Sequence, residues 1–207
     1  SSPEIPLYEG DVSINDYTVM SYREAFEALW RKASVEYPFT ELKSVDWQGL
    51  YEKIAPRVAA AQTTKDRQAW YLAMHDFAMS IPDGHVGLRG EDGGVFQSET
   101  GGGAGLGLTE LSDGRVLVRF VTSGGAAEVA GIRIGAEIIA LNAQPVKEAV
   151  AAVRVWNGPF STAHVRRLEQ YRYLTRGKVG TNMQLSWRNP GGGEQHAKLI
   201  LRPERAS

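Results

Sequence analysis

The stretch GEDGGVFQSETGGGAGLG, residues 90–107, divides the chain more sharply than any other feature. Glycine loses more backbone freedom on folding than any other residue, so a run this dense neither extends a helix nor fills a core. Before it, apolar residues recur with a helical period; after it, they fall in short strand-like runs. A chain of 207 residues with that break is expected to form two small units joined by a glycine-rich linker at 91–103. A hydrophobic share of 43% and a net charge of −1 exclude a disordered chain. The same balance provides no global field that would draw in nucleic acid or an anionic membrane.

Three helical segments precede the break. The first opens on Ser21 and Glu24 at capping-box spacing. It sets Tyr22, Phe26, Leu29, Trp30 and Ala33 on one face, and Pro38 stops it. The second starts near Asp46 with Trp47, Leu50, Tyr51, Ile54 and Val58 on one side, and Pro56 is expected to kink or divide it. The third is expected to follow Thr63 and Thr64 as caps, to align Trp70, Met74, Phe77 and Ile81, and to close at Pro82. Three apolar stripes of this kind bury one another as a small bundle.

The second half reads as strands at 115–121, 137–141, 183–187 and 197–201, the last two joined by the turn Asn189-Pro190-Gly191. Two helices interrupt them. One, at 146–155, is short and rich in alanine and valine. The other, at 161–175, is capped by Ser161 or Thr162, with Val165, Leu168, Tyr171 and Leu174 expected to face inward.

The segment GAGLGL, Gly103 to Leu108, runs into a strand and is followed by SGGAAEVAGIRIGAEIIALNAQPV. In that order these segments resemble a PDZ domain, over about forty residues by the length of the quoted segments. Ala126, Glu137 and Asn142-Ala143 depart mildly from the usual pattern. The resemblance implies a loop whose backbone amides, here of Leu106, Gly107 and Leu108, point into one concavity and hold a peptide's terminal carboxylate. Gly105 and Gly107 would let the backbone approach the ligand closely. The bound peptide would add a strand beside residues 108–111, with Val150 and Val153 of the following helix as the wall for its last side chain. A plain flexible linker is the competing reading of the glycines.

The third helix ends in Ile81-Pro82-Asp83-Gly84-His85-Val86. A helical unit that closes on Asp-Gly-His and precedes a PDZ domain resembles the start of the carboxyl-terminal processing (tail-specific) serine peptidases, in their tricorn-core-like branch. VDWQGLYEKIAPRV and PFSTAHVRRLEQYRYLTRGKVGT resemble that branch as well. Val86 stands where a threonine is usual. The implied fold class is α+β: a small N-terminal helical bundle at 1–90, then a PDZ-like, partly open β-barrel with flanking helices at 104–203 and a helical insertion at 146–176. The implied function is capture of the C-terminal tails of protein substrates for proteolysis by a downstream catalytic domain. The alternative is a stand-alone PDZ adaptor without an enzymatic role.

In the family a serine attacks, a lysine or histidine takes its proton, and backbone amides hold the oxyanion. His85 matches the position of the histidine base of the tricorn-like branch. From the residues alone, a histidine in a Pro-Asp-Gly turn reads first as a surface or capping residue, and Asp83 either orients its ring or makes an Asx turn, with the turn preferred. No Gly-x-Ser-x-Gly elbow and no Ser-x-x-Lys pattern is present, so the chain is expected to be a segment of a longer peptidase and inert alone. The family also implies a place outside the cytoplasm.

The chain has no cysteine, which removes disulfides, thiolate zinc sites and a cysteine nucleophile. His75, His164 and His196 are scattered without ligand spacing, so no metal and no cofactor is expected. No signal peptide or membrane span is visible. Arg154, Arg166, Arg167, Arg172, Arg176 and Lys178, with Tyr171 and Tyr173 between them, hint at nucleic-acid binding. The plainer reading, a solvated helix face or a docking surface, is preferred.

Overall fold

The computed structural model describes residues 15–88 and 94–204. The ends of the expected helical unit at 1–14 and 89–90, and residues 91–93 of the expected linker, lie outside the described residues.

Helix α1 (Tyr22–Glu36) starts in a complete capping box: Ser21 Oγ accepts from Glu24 N–H, and the Glu24 carboxylate accepts from Ser21 N–H. Helix α2 (Trp47–Thr64) is capped by Asp46 and runs on through Pro56. The proline removes one ladder bond but does not divide the helix, because Trp47, Ile54, Val58 and Ala61 are buried on both sides of it. Helix α3 (Arg67–Met79) takes its cap from Asp66, whose carboxylate accepts from Ala69 N–H. Thr63 and Thr64, expected as its caps, instead end α2, and Lys65 turns the chain at φ 53°. The three helices share one core of Phe26, Trp47, Ile54, Val58, Ala73, Met74, Phe77 and Ile81.

The described part of the stretch expected as a linker, 94–103, forms regular structure. It contains helix α4 (Val95–Thr100) and strand β1 (Gly102–Gly103). A Cβ on Gly102 would lie 2.9 Å from the carbonyl oxygen of Gly177, so the glycine is needed for close backbone approach rather than for slack. Chain order continues with strands β2 (Leu106–Glu110) and β3 (Val116–Val121), helix α5 (Ala126–Val129), strands β4 (Glu137–Leu141) and β5 (Gln144–Pro145), and helix α6 (Val146–Ala151). Helix α7 (Ala163–Tyr173), capped by Thr162, then leads to β6 (Arg176–Gly177), β7 (Asn182–Arg188), β8 (Glu194–Ile200) and β9 (Arg202–Pro203).

β1 lies between β6 and β9 in a three-stranded sheet. The larger sheet has the order β2-β3-β4-β7-β8, with β5 paired to β4, and it stays open. The fold class is therefore α+β, a helical bundle followed by an open PDZ-like sheet. The core on that sheet gathers Val116, Val118, Ile138, Leu185, Trp187 and Val150. No helix among the described residues is long and apolar enough to cross a membrane.

A polar cluster joins the helical unit to the segment after α6. Asp76 of α3 receives the Arg154 guanidinium through Nε at 3.0 Å and Nη2 at 3.2 Å, and Arg57 Nη2 at 2.8 Å. The ring of the buried His75 lies 5.2 Å from that of Trp156.

Candidate functional site

Strand β2 lies at the edge of the larger sheet. One side of it pairs with β3, and among the described residues no strand covers the other. An edge of this kind presents a row of main-chain N–H and C=O groups ready to accept another extended chain. A groove of about 1220 Å³ runs along it, walled on the far side by α7.

Gly105, at φ +78°, turns the chain into β2 in a conformation that favours glycine. Its N–H is already bound, to Glu204 Oε2 at 3.0 Å. Glu204 in turn is balanced by Arg176, whose Nη1 donates to its main-chain oxygen at 2.7 Å and whose Nη2 lies 3.6 Å from its carboxylate. Leu106, Gly107 and Leu108 follow in the strand itself, opposite Val121, Phe120 and Val118, and all three line the groove.

The register skips between Gly107 and Leu108, which leaves Arg119 as the extra residue of a bulge in β3. A Cβ on Gly107 would lie 3.6 Å from Arg119 Cγ and 3.7 Å from its Nε. Those are ordinary contact distances; the tight neighbour is Phe120 Cβ at 3.0 Å, so the missing side chain at 107 makes room for Phe120 while Arg119 lies against the glycine at the groove. The other arginines lining the groove face acids: Arg167 with Glu110 at 3.2 Å, Arg172 with Glu169 at 3.9 Å, and Arg176 with Glu204. Arg119 has no acidic partner among the described residues. The hydrogen bond from Arg167 holds the Glu110 carboxylate below the usual range, against a smaller cost of burial.

The wall helix differs from the one expected. Val150 is fully buried in the sheet core and Val153 packs against that core; neither lines the groove. Helix α6 is only six residues long and folds back on β4 and β5. The longer α7 takes the place along β2, and its Val165 and Leu168, expected to face inward, are exposed to the groove. Tyr171 and Leu174 do face inward. The sequence held no signal for the bulge that brings Arg119 and Phe120 to the groove.

His85 stands apart from the groove, on the turn after α3. Its side chain is 98% exposed, and Nδ1 lies 3.0 Å from Asp83 Oδ1. The neighbouring Gly84 N–H donates to Ser161 Oγ at 3.3 Å. Of the basic run between Arg154 and Lys178, Arg154 pairs with Asp76 and Lys178 with Glu99, so these charges are used inside the fold. No group of three or more potential metal ligands occurs among the described residues.

Residues 19–69 match the Tricorn protease C1 domain, and residues 95–157 match the PDZ domain. The chain joins a tricorn-type C1 domain to a PDZ domain. That is the pairing and the order of the tricorn-core-like branch of the carboxyl-terminal processing peptidases that the sequence resembles. The C1 match covers α1, α2 and the start of α3 and ends before Asp83 and His85. The PDZ match takes in α4 and the whole groove edge of β2.

Among solved structures, mature CPAF complexed with lactacystin superimposes with a TM-score of 0.61 at 14% identity, over 89% of this chain and 35% of that one. A CPAF mutant gives 0.64 at 13% identity, over 89% and 34%. At this identity the likeness concerns the fold, and the chain spans about a third of the length of those structures. No curated protein matches the chain by sequence.

Proposed function

We propose that the PDZ groove between β2 and α7 captures the free C-terminal tails of polypeptides, and that it does so for a tail-specific serine peptidase. The observation that carries this reading is the open edge of β2, entered through the Gly105 turn and faced across the groove by α7. A tail laid along that edge adds a strand by main-chain hydrogen bonds. Its last side chain meets Leu106, Leu108, Val165 and Leu168. The amides of residues 106–108 receive the terminal carboxylate, and Arg119 supplies the uncompensated positive charge beside Gly107. In this reading His85 is the general base, and the serine it serves belongs to a downstream catalytic domain. In this reading the 207 residues supply tail capture and the base, and cleavage depends on that downstream domain.

Titration calorimetry with paired peptides, identical except for a free or amidated C-terminus, tests the capture step. Hydrogen bonds to a charged group contribute about 1.5–3 kcal/mol, so the amidated members should bind roughly 10–100-fold more weakly. Equal affinity for both ends would show that the terminal carboxylate is not recognised. Arg119→Glu should weaken the free-acid peptides about tenfold and leave the amidated ones nearly unchanged. A uniform loss for both would assign Arg119 to folding rather than to recognition.

A further inference from the structure

Asp83 is only 4% exposed, and both of its oxygens are engaged. Oδ2 accepts the Tyr37 hydroxyl at 2.5 Å. Oδ1 accepts the main-chain N–H of His85 at 3.0 Å and meets Nδ1 of the same ring at 3.0 Å. Its cover comes from the turn and from Tyr37 rather than from deep packing. The Tyr37 hydroxyl first, then the main-chain N–H and the ring of His85, hold the carboxyl well below its usual range. Asp83 is thus an anion at neutral pH, and an ionised carboxylate has only lone pairs to offer. The Nδ1 that faces it must therefore carry a proton. In the neutral ring this leaves the lone pair on Nε2, on a side chain open to solvent.

Tyr37 is itself held in place. It caps the end of α1, where its N–H donates to the Ala33 carbonyl. Its carbonyl accepts from Thr40 Oγ1, and its ring meets Trp47 edge-on at 5.9 Å. Burial, with the bond to Asp83 second, pushes its hydroxyl up to about 12, so it remains a donor across the neutral range.

We propose that Tyr37 and Asp83 are positioning residues that lock His85 in the Nδ1–H tautomer and present Nε2 outward as a proton acceptor. Tyr37, at the end of α1, and Asp83, on the turn after α3, lie 46 positions apart and meet at one carboxylate, and that carboxylate reads the side of the ring that must stay protonated. This deepens the reading of His85 as the base. A serine hydroxyl docked over the turn would pass its proton to Nε2 as its oxygen bonds the scissile carbonyl carbon, whose electron pair moves to the carbonyl oxygen. The ring would become imidazolium against the Asp83 carboxylate and return the proton to the leaving amine.

The tautomer can be measured without any catalysis. Ring ¹⁵N–¹H spectra of the labelled chain, recorded on the neutral imidazole and assigned with His85→Gln, should show an unprotonated Nε2 and a protonated Nδ1. Asp83→Asn can turn its amide NH₂ toward the ring, so the major tautomer should swap to Nε2–H while main-chain signals elsewhere keep their positions. If that variant does not fold, Tyr37→Phe takes its place and should shift the population toward Nε2–H. A wild-type ring that is mainly Nε2–H, or a ratio unmoved by both substitutions, would overturn the proposal. Failure of tail peptides to bind concerns only the groove and leaves this result unaffected.

Discussion

Phe26→Ala is expected to destabilise the chain by about 3–5 kcal/mol, read as a shift of the denaturant midpoint with little change in slope. Phe26 is 1% exposed at the centre of the three-helix core. Its ring stacks on Tyr51 at 5.7 Å and meets Phe77 edge-on at 5.5 Å. Truncation removes the transfer gain of a buried ring and leaves a cavity that three helices from one tight core cannot close without moving. Leu42→Ala, at a site 77% exposed, is the matched control and should change stability by less than about 0.5 kcal/mol. A loss of under about 1 kcal/mol for Phe26→Ala would mean that the bundle is not packed as described.

Asp76→Ala should come next, at about 2–3 kcal/mol. Breaking a buried ion pair costs about 3–5 kcal/mol because the surviving charge is left uncompensated. Here the Arg57 and Arg154 side chains keep 36% and 33% of their exposure, so water relieves part of that cost. The substitution also removes a link between the C1 helices and the segment after α6 that holds Arg154 and Trp156. Fluorescence and far-UV circular dichroism transitions that coincide in the wild type should separate in the variant.

The effect depends on pH in a defined sense. Burial works against the Asp76 carboxylate, but hydrogen bonds from His75, Arg154 and Arg57 outweigh it and hold the group well below its usual range. A depressed value in the folded state means that the unfolded chain binds the proton more tightly. The stabilisation is therefore complete above the ordinary carboxyl value of about 3.9 and fades as pH falls below it. The gap between wild type and Asp76→Ala should stay level from about pH 7 to 5 and narrow below about pH 4. A gap that widens on acidification would contradict the pairing.

Much of the architecture could be read along the chain. The Ser21–Glu24 capping box, the helical stripes and the hairpin around Asn189-Pro190-Gly191 each depend on residues within a few positions of one another. The cap of α3 passed from Thr63 and Thr64 to the nearby Asp66, a local change; the other readings that failed were decided by more distant contacts. Pro56 does not divide α2 because the buried face on either side of it is fixed by α1 and α3. The glycines at 102 and 103 form a central strand because two segments more than seventy residues further on pair with both of their edges. Val165 and Leu168 have the spacing of a core stripe, yet the bulge in β3 and the course of α7 leave them in an open groove.

By itself the sequence determined the helical unit followed by strands, most of their elements, and the glycine turn that leads into β2, because periodicity, caps and turns are local effects. It also placed a histidine on the turn after the third helix. Tertiary structure alone decided which helix walls the groove, that Arg119 lies over Gly107, and that Asp83 is shared between Tyr37 and His85. These depend on where segments far apart in the chain come to rest, and close packing selects one such arrangement from many that share the same local pattern.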